Sequence, residues 1–258
     1  MSQADASTPT DRDAVRFRDA GEAALVVEFG ARVDPALNAR VLALDAALAQ
    51  DPVAGMLETV PTYRSLMIHY DPLVLDRDAL AARVGGLLDR PPAGSRPGRT
   101  WTLPCCYDPA LAEDLAEDLG AVADWAGLAP ADVAARHASG TYRVYMYGFA
   151  PGFAYLGGLP EALAIPRRRT PRPPHPANAL LVGGGLAAVA TVPMPTGWYV
   201  VGRTPERLYS EARPQSFLVE PGDGLRFEPI DAATFTALEA RAARGEILAR
   251  RDPGWTDP

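Results

Sequence analysis

The alternation of apolar and polar residues over the first ninety positions predicts a small α+β domain. Residues 14–29 are interpreted as a strand region, with the apolar residues 24–29 at its centre. Asp34 and Pro35 then begin a helix, because aspartate caps a helix and proline suits its first position. A second strand near residues 64–70 has its apolar residues on one face, and Asp76 begins a second helix. The pattern therefore predicts strand–helix–strand–helix.

The pattern changes after residue 100 and predicts a β-rich domain. A strand at 101–107 precedes two helices, one beginning at Asp108 and a shorter one after Leu128. Short apolar segments separated by glycine and proline follow, and we interpret them as strands: 141–146, 179–183, 187–192, 198–202 and 224–229. A last amphipathic helix over 231–244 ends before Gly245. Many short strands with turn residues between them indicate a closed or nearly closed β structure.

These patterns set the expected domain boundaries. The proline- and glycine-rich residues 90–100 carry no apolar periodicity and are expected to be a linker between domains at 14–89 and 101–245. Residues 1–13 and 246–258 are expected to be tails, the first of them disordered. The first residues lack the features of a signal peptide, and no apolar run approaches the roughly 20 residues that span a bilayer. We expect a cytoplasmic protein without membrane contact.

The amino-acid composition excludes several kinds of binding and catalysis. The net charge of −7 argues against a nucleic-acid binder, which needs a basic surface to neutralise phosphates. All 25 basic residues are arginine. The chain therefore cannot form a lysine Schiff base, supply a P-loop lysine or carry biotin on a lysine. Any grip on an anion must come from arginine, backbone amides or helix ends.

The cysteines and histidines give no sign of a metal or a disulfide. Cys105 and Cys106 are adjacent, so a bond between them would be strained, and we expect two reduced thiols in a strand. His69, His137 and His175 are far apart and lack the spacing of metal ligands, so we expect no metal site. At the end of a helix, the imidazole of His137 is expected to carry a proton that interacts with the helix dipole.

Residues 147–160 are the most distinctive segment, with four aromatic residues, four glycines and two prolines. Such a composition suits neither a helix nor a regular strand, so we interpret the segment as a loop. Two roles stay open. Phe149 and Phe153 could fill a core beneath a structural turn, or the loop could form the wall of a pocket.

A basic segment follows at residues 166–172, where four arginines lie between prolines. Proline keeps the preceding backbone extended, and the arginine fork matches carboxylate or phosphate, although a solvated surface is the alternative. Arg203 is a second candidate anion contact, and Asp223 is expected to be a turn residue. No local motif identifies a nucleophile or a base, so catalytic residues stay unassigned.

Taken in order, these segments resemble the family of the 5-oxoprolinase B subunit, also called allophanate hydrolase subunit 1. That family includes a bacterial histidine-kinase inhibitor and half of the carboxyltransferase domain of urea carboxylases. The resemblance extends over about residues 15–245, and its most specific strings are Gly-Phe-Ala-Pro-Gly-Phe-Ala-Tyr-Leu and Gly-Trp-Tyr-Val-Val-Gly-Arg-Thr. The segments that carry it are 63–72, 103–107, His137, 147–160, 166–172, 197–205 and 221–230.

The resemblance implies an α+β fold with a small N-terminal α+β domain followed by a cyclophilin-like β-barrel domain. It implies a partner, the homologous larger subunit (the 5-oxoprolinase C subunit, or allophanate hydrolase subunit 2), and a third component. Together the three would open 5-oxoproline to glutamate, with ATP used by the assembled complex, so that this chain is a hydrolase subunit inactive alone. It also implies which residues bind substrate: Gly148, Phe149, Pro151, Gly152, Phe153, Tyr155, Leu156, Arg167, Arg172, Gly197, Trp198, Arg203 and Thr204.

The chain departs from the family between the arginine segment and Trp198. Where the family usually has Gly-Ser-Val, Gln-Thr-Gly-Ile-Tyr and Ser-Pro-Gly-Gly-Trp, residues 177–181, 184–190 and 193–198 replace several hydroxyl and amide groups by alanine or leucine. Each replacement removes a group that could orient a polar ligand. Two alternatives to the enzyme subunit therefore stay open: a regulatory binding protein like the kinase inhibitor, and a catalytically degenerate partner subunit.

Overall fold

The computed structural model describes residues 15–89, 98–111 and 113–252. The contacts between residues divide the chain into two compact units, Met1–Arg96 and Pro97–Pro258. The expected tail at 1–13, most of the expected linker and the last six residues lie outside the described residues. No helix among the described residues is long and apolar enough to cross a membrane.

The first unit is a four-stranded antiparallel sheet with two helices. Its elements are β1 (Arg16–Asp19), β2 (Ala24–Glu28), α1 (Pro35–Gln50), β3 (Met56–Pro61), β4 (Ser65–Tyr70) and α2 (Arg77–Leu88). The strand order is β1-β2-β4-β3. The two central strands, β2 and β4, carry the most apolar sequence. Leucines and valines of both helices pack with those of β2 and β4 in one core.

Both helices of this unit begin where the sequence predicts. The Asp34 carboxylate accepts hydrogen bonds from the N–H groups of Ala36 (2.8 Å) and Leu37 (3.2 Å), and Asp76 caps α2 in the same way. The outer strands β1 and β3 were not predicted as separate elements. Their residues are mostly exposed or half-buried, so the apolar signal that identifies a strand is weak there.

The second unit contains eight strands and three helices in its described residues. Its elements are β5 (Thr100–Cys105), α3 (Glu113–Ala126), α4 (Pro130–Ser139), β6 (Tyr142–Tyr147), β7 (Ala154–Gly157), β8 (Ala179–Gly183), β9 (Leu186–Ala190), β10 (Tyr199–Arg203), β11 (Gly224–Pro229), α5 (Ala232–Ala242) and β12 (Arg250–Asp252). The order in the sheet is β10-β8-β9-β7-β6-β11-β5-β12, and only the β5–β11 pair is parallel.

The sheet closes on itself where β10 meets the end of β5. Cys106 donates its N–H to the carbonyl of Arg203 (2.8 Å), and Arg203 donates to the carbonyl of Cys106 (2.9 Å). Alternate residues of the seven strands from β5 to β11 form one core inside this barrel. The predicted α+β class with a closed β structure in the second half is confirmed.

A second apolar cluster covers the outer face of β8, β9 and β10. It contains Leu115 of α3 and Phe153, Met194 and Trp198 from the connecting segments. The strands alternate strictly, so that Leu180 faces the barrel interior and its neighbours in β8 face this outer cluster.

Three expectations about this unit were wrong. The segment at 147–160 is not a loop throughout, because β7 occupies Ala154–Gly157, pairs with β6 and β9, and alternates inward and outward like any strand. The region expected to be a C-terminal tail contains β12, which pairs with β5. His137 does not carry a proton at the end of α4. It lies in the core against Phe227, and burial lowers its pKa to about 3.

Candidate functional site

Four aromatic side chains and one arginine line the edge of the outer cluster in an unbroken series. Ring centroids lie 6.1 Å apart between Phe149 and Phe153, 4.8 Å between Phe153 and Tyr155, and 6.3 Å between Tyr155 and Trp198. The guanidinium carbon of Arg167 lies 4.9 Å from the ring centroid of Trp198. We call these five residues the aromatic row. They come from sequence segments that the strands β7 and β10 bring together.

Phe149 is at the solvent end of the aromatic row in a strained conformation. Its side chain is 78% exposed, and its φ of +67° lies in the left-handed region that aromatic residues avoid. A tight turn holds it there, because Ala150 donates its N–H to the carbonyl of Gly148 (2.8 Å) and Phe153 donates to Ala150 (3.0 Å). A strained, exposed aromatic residue points to a role outside the folded chain itself.

The turn that carries Phe149 is anchored by its neighbours. Gly152 has φ +74°, and a Cβ atom there would lie 2.5 Å from the Cβ of Tyr209, so only glycine fits. The carbonyl of Pro151 accepts a hydrogen bond from the hydroxyl of Thr191 (2.6 Å). Gly148 is half-buried between Met146 and Tyr155.

Arg167 is exposed, yet its side chain is held in place. Its aliphatic stem lies beside Gly184, where a Cβ atom would be 3.4 Å from the Cγ of Arg167. Gly184 and Gly185 form the β8–β9 turn with φ +63° and +77°, as two-residue hairpins prefer. Arg167 is also near Tyr155: burial is the larger effect and raises the pKa of that phenol, while the charge of Arg167 acts to lower it.

Two other arginines of the basic segment are committed to one buried aspartate. Asp118 of α3 accepts hydrogen bonds from Arg168, from Arg172 (2.6 Å) and from the N–H of Val200 in β10 (2.9 Å). Asp118 and Arg172 are almost fully buried. The guanidinium of Arg168 also lies over the ring of Tyr199. This cluster ties the basic segment to α3 and β10, and the carbonyl of Gly197 adds a hydrogen bond from the N–H of Arg168 (2.8 Å).

Arg203 and Thr204 are at the opposite end of β10 from Trp198, about 15 Å along the strand. The guanidinium of Arg203 donates to the carbonyl of Ala177 (3.2 Å) and to Glu239 of α5 (3.2 Å). Thr204 is buried and donates to the carbonyl of Pro104 (2.8 Å). These contacts brace the barrel closure and do not bring either side chain to the aromatic row.

The remaining expected site residue, Leu156, is fully buried inside the barrel. Phe153 and Trp198 are also mostly buried, so the aromatic row offers Phe149, Arg167 and part of Tyr155 to a ligand. The role of a pocket wall that the sequence left open stays a prediction, and the two phenylalanines differ in their burial. Phe153 fills a core, and Phe149 projects from it.

The apolar replacements that mark the departure from the family are inside the outer cluster. Ala179, Leu181, Ala188 and Ala190 are all buried there, in the same cluster as Leu115 and Met194. They pack against each other across β8 and β9. The segments expected to diverge from the family thus contribute to a closed apolar core, while the exposed residues of the aromatic row lie outside them.

Asp118 is a residue of this region that the sequence analysis missed. Its position carried a signal, since it lies three residues after Leu115 and four before Val122, on the buried face of α3. An aspartate among buried leucines and valines requires a cationic partner. The partners lie 50 and 54 residues further along the chain, so no local motif names them.

Two further polar groups are buried. The Nδ1–H of His175 donates to the carbonyl of Pro176 (2.8 Å), its Nε2 has no partner among the described residues, and burial lowers its pKa. Asp223, expected to be a turn residue, is fully buried and accepts from Trp101 (3.1 Å) and from the N–H groups of Arg99 and Glu220. Neither lies among the contacts of the aromatic row.

The thiols and possible metal ligands add no chemistry to this region. Cys105 and Cys106 are free and buried, and burial raises the pKa of both. Within residues 15–89, 98–111 and 113–252, no group of three or more histidine, cysteine, aspartate or glutamate side chains is placed to hold a metal ion.

The sequence and the fold both match known proteins. A family model described as the carboxyltransferase domain, subdomain C and D, matches residues 15–219. The 5-oxoprolinase B subunit of Escherichia coli O157:H7 is 35% identical over 210 residues, which are 81% of this chain and 93% of that protein. The 5-oxoprolinase B subunit of Bacillus subtilis (strain 168) is 29% identical over 233 residues, 85% of this chain and 94% of that protein.

Solved structures of longer chains share the fold. The protein TTHA0988 superposes with a TM-score of 0.70 at 36% identity, and the match covers 84% of this chain but only 40% of TTHA0988. The urea carboxylase of Kluyveromyces lactis superposes with a TM-score of 0.73 at 16% identity over 92% of this chain and 24% of the enzyme. The latter likeness concerns the fold alone.

Proposed function

The chain belongs to the carboxyltransferase-domain family that includes the B subunit of 5-oxoprolinase, and on that premise we propose that it is one subunit of an ATP-dependent 5-oxoprolinase-type hydrolase. Its partners would be the homologous larger subunit and a third component. The reaction would open the lactam of 5-oxoproline, or of a related cyclic amide, to the free amino acid. The cytoplasmic location expected from the sequence stays a prediction.

The observation that carries this proposal is the aromatic row. Phe149 and Tyr155 provide flat apolar surface, and Arg167 places a positive charge near Tyr155. A small cyclic amide with one carboxylate has the same two features, a compact ring and a single negative charge. The arrangement therefore suits a substrate of this class.

The same residues explain why the chain would need partners. Arginine, phenylalanine and tryptophan bind and orient a ligand, but they do not exchange protons near neutral pH, and burial raises the pKa of Tyr155 further. Acid–base groups and the grip on ATP would then come from other subunits. The exposed, strained Phe149 is suited to a site completed by a second protein chain.

Reconstitution tests the proposal. This chain is co-expressed with the larger-subunit homologue and the third component, and ATP hydrolysis is followed with and without 5-oxoproline. We expect substrate-stimulated hydrolysis and release of glutamate that both disappear when this chain is left out. A stable complex without stimulation by 5-oxoproline or related lactams would contradict the enzymatic role, and failure to form any complex would contradict the subunit assignment.

One structural observation supports a second candidate, a partner subunit without a part in the chemistry. The segments that differ from the family form a closed apolar core at Leu181 and Ala188, as a scaffold would. The two candidates differ at Arg167. A scaffold would tolerate Arg167→Gln in the assembled complex with unchanged turnover, whereas a substrate-binding subunit would not.

A further inference from the structure

The arginines of the basic segment and Arg203 differ in what they already bind. Arg168 and Arg172 share the carboxylate of Asp118, and Arg203 binds Glu239 and a backbone carbonyl. Arg167 has no carboxylate partner among the described residues and stacks on Trp198 instead. Of the candidate anion contacts, a single available guanidinium, that of Arg167, is therefore found at the aromatic row.

The geometry of Arg167 is that of a prepared ligand contact. Trp198 covers one face of its guanidinium, and the backbone at Gly184 borders its stem. A guanidinium stacked on an aromatic ring keeps its N–H groups at the edge, where a carboxylate binds bidentately in the same plane. Because the side chain is already ordered, little rotamer freedom is lost when a ligand binds.

One guanidinium matches one carboxylate but does not match a nucleoside triphosphate. The phosphates of ATP carry several negative charges and are held in proteins by sets of backbone N–H groups, lysine or arginine together with a divalent cation. Lysine does not occur in this sequence. The neighbouring cations are already paired: Arg172 with Asp118 in the protein interior, and Arg168 with Asp118 and Glu117. The aromatic row does not fit ATP.

We propose that Arg167 binds the carboxylate of the substrate, with the substrate ring against Tyr155, and that the ATP used by the complex is bound by another subunit. This inference rests on the proposed function, and it assigns the binding of the substrate to this chain. Substrate recognition and ATP use then lie on different chains. Each can be altered without the other.

Substrate kinetics of the reconstituted complex test this division. In Arg167→Gln we expect the KM for 5-oxoproline to rise about 10- to 100-fold, the loss typical of a charge-assisted hydrogen bond, with the KM for ATP within about twofold of wild type. Arg167→Lys keeps the charge without the fork and should show a smaller rise. Arg169→Gln removes an equal charge from an exposed neighbour and is the matched control, expected to leave both constants unchanged.

The outcomes separate the two proposals. If the wild-type complex turns over 5-oxoproline but Arg167→Gln raises the KM for ATP instead, the inference is wrong and the proposed function stands. If Arg167→Gln changes neither constant, the inference is wrong as well, and the second candidate, a partner subunit without a part in the chemistry, is favoured. If the wild-type complex shows no turnover, the proposed function fails. Calorimetric titration of the full chain with 5-oxoproline, benzoate and phenylacetate then decides the inference. Binding that Arg167→Gln abolishes supports it, and no Arg167-dependent binding overturns it.

Discussion

Asp118 gives the sharpest test of how the site is held together. Its carboxylate accepts hydrogen bonds from Arg168, Arg172 and the N–H of Val200, and it is 1% exposed. Asp118→Asn keeps the size and shape of the side chain but removes its charge. The Arg172 guanidinium, 5% exposed, would then be a buried cation without this counter-charge.

The expected cost is large because a buried charge loses its partner. Removing one partner of a buried ion pair typically destabilises a protein by about 3–5 kcal/mol. Asp118 and Arg172 are both buried, so we expect Asp118→Asn to cost this amount. Arg168 is more exposed, and its guanidinium can be hydrated when the carboxylate is lost. With urea m-values of about 1–3 kcal/mol per molar, the unfolding midpoint should fall by more than about 1 M.

Tryptophan fluorescence in a urea titration is the suitable assay. All four tryptophans lie beyond residue 100, so the signal follows the second unit alone, even if the first unit unfolds separately. Far-ultraviolet circular dichroism, which follows both units, identifies any transition of the first unit. We expect that transition to stay where it is in wild type.

Two further variants make the test specific. Glu117→Gln removes the neighbouring carboxylate, which is exposed and 3.6 Å from Arg168, and should cost less than about 1 kcal/mol. Combining Asp118→Asn with Arg172→Met removes the buried cation as well and should recover part of the loss. If Asp118→Asn destabilises the second unit no more than Glu117→Gln does, the cluster is not the anchor described above.

Three other predictions concern separate features of the second unit. Gly152→Ala should lower the free energy of unfolding by about 2–4 kcal/mol, because a steric clash adds to backbone strain. Gly185→Ala, with φ +77° and open space around it, should lower the free energy of unfolding by only about 1 kcal/mol. Equal losses of the two variants in urea denaturation would contradict the clash. The pKa of His137 is about 3 in the folded chain and about 6.5 in the unfolded chain, so below about pH 6.5 the unfolded chain binds the extra proton and stability falls. Between about pH 7 and about pH 5, His137→Gln should therefore lose about 2 kcal/mol less stability than the wild type does. An unchanged pH dependence of the free energy of unfolding would refute this. Phe149→Asn should leave the free energy of unfolding unchanged or raise it by about 1 kcal/mol, because asparagine tolerates a positive φ. Turnover of the reconstituted complex should fall. A large loss of stability would show instead that Phe149 is structural.

Local signals in the sequence predicted most of the fold. The aspartates that cap α1 and α2 act within three residues, and the strands β8 and β9 follow directly from their short continuous apolar runs. β7 was missed because glycine and aromatic residues dominate its surroundings. Its strand character depends on pairing with β6 and β9, which only the tertiary fold supplies.

The candidate site was predicted by composition but not in its details. The sequence singled out the glycine- and aromatic-rich segment and the arginines, yet it could not tell which arginine was available. That distinction depends on Asp118 and Glu239, which lie tens of residues away from the arginines they bind. The sequence also grouped Arg203 with Trp198, although five residues along a strand separate the two side chains by about 15 Å.

The contrast between Arg167 and its neighbours bears on what the aromatic row is for. A basic segment that served only to fasten the chain would be expected to pair each ordered arginine with an acid, as Arg172 is paired with Asp118. Arg167 is ordered against Trp198 without such a partner among the described residues, and Phe149 in the same row keeps a strained backbone and an exposed ring. The strained backbone of Phe149 costs the free chain stability, whereas the stacking of Arg167 on Trp198 orders a guanidinium whose N–H groups stay at the edge for a ligand. That combination is expected of a surface that recognises a ligand, and it is why Arg167 and not the buried arginines should control substrate affinity.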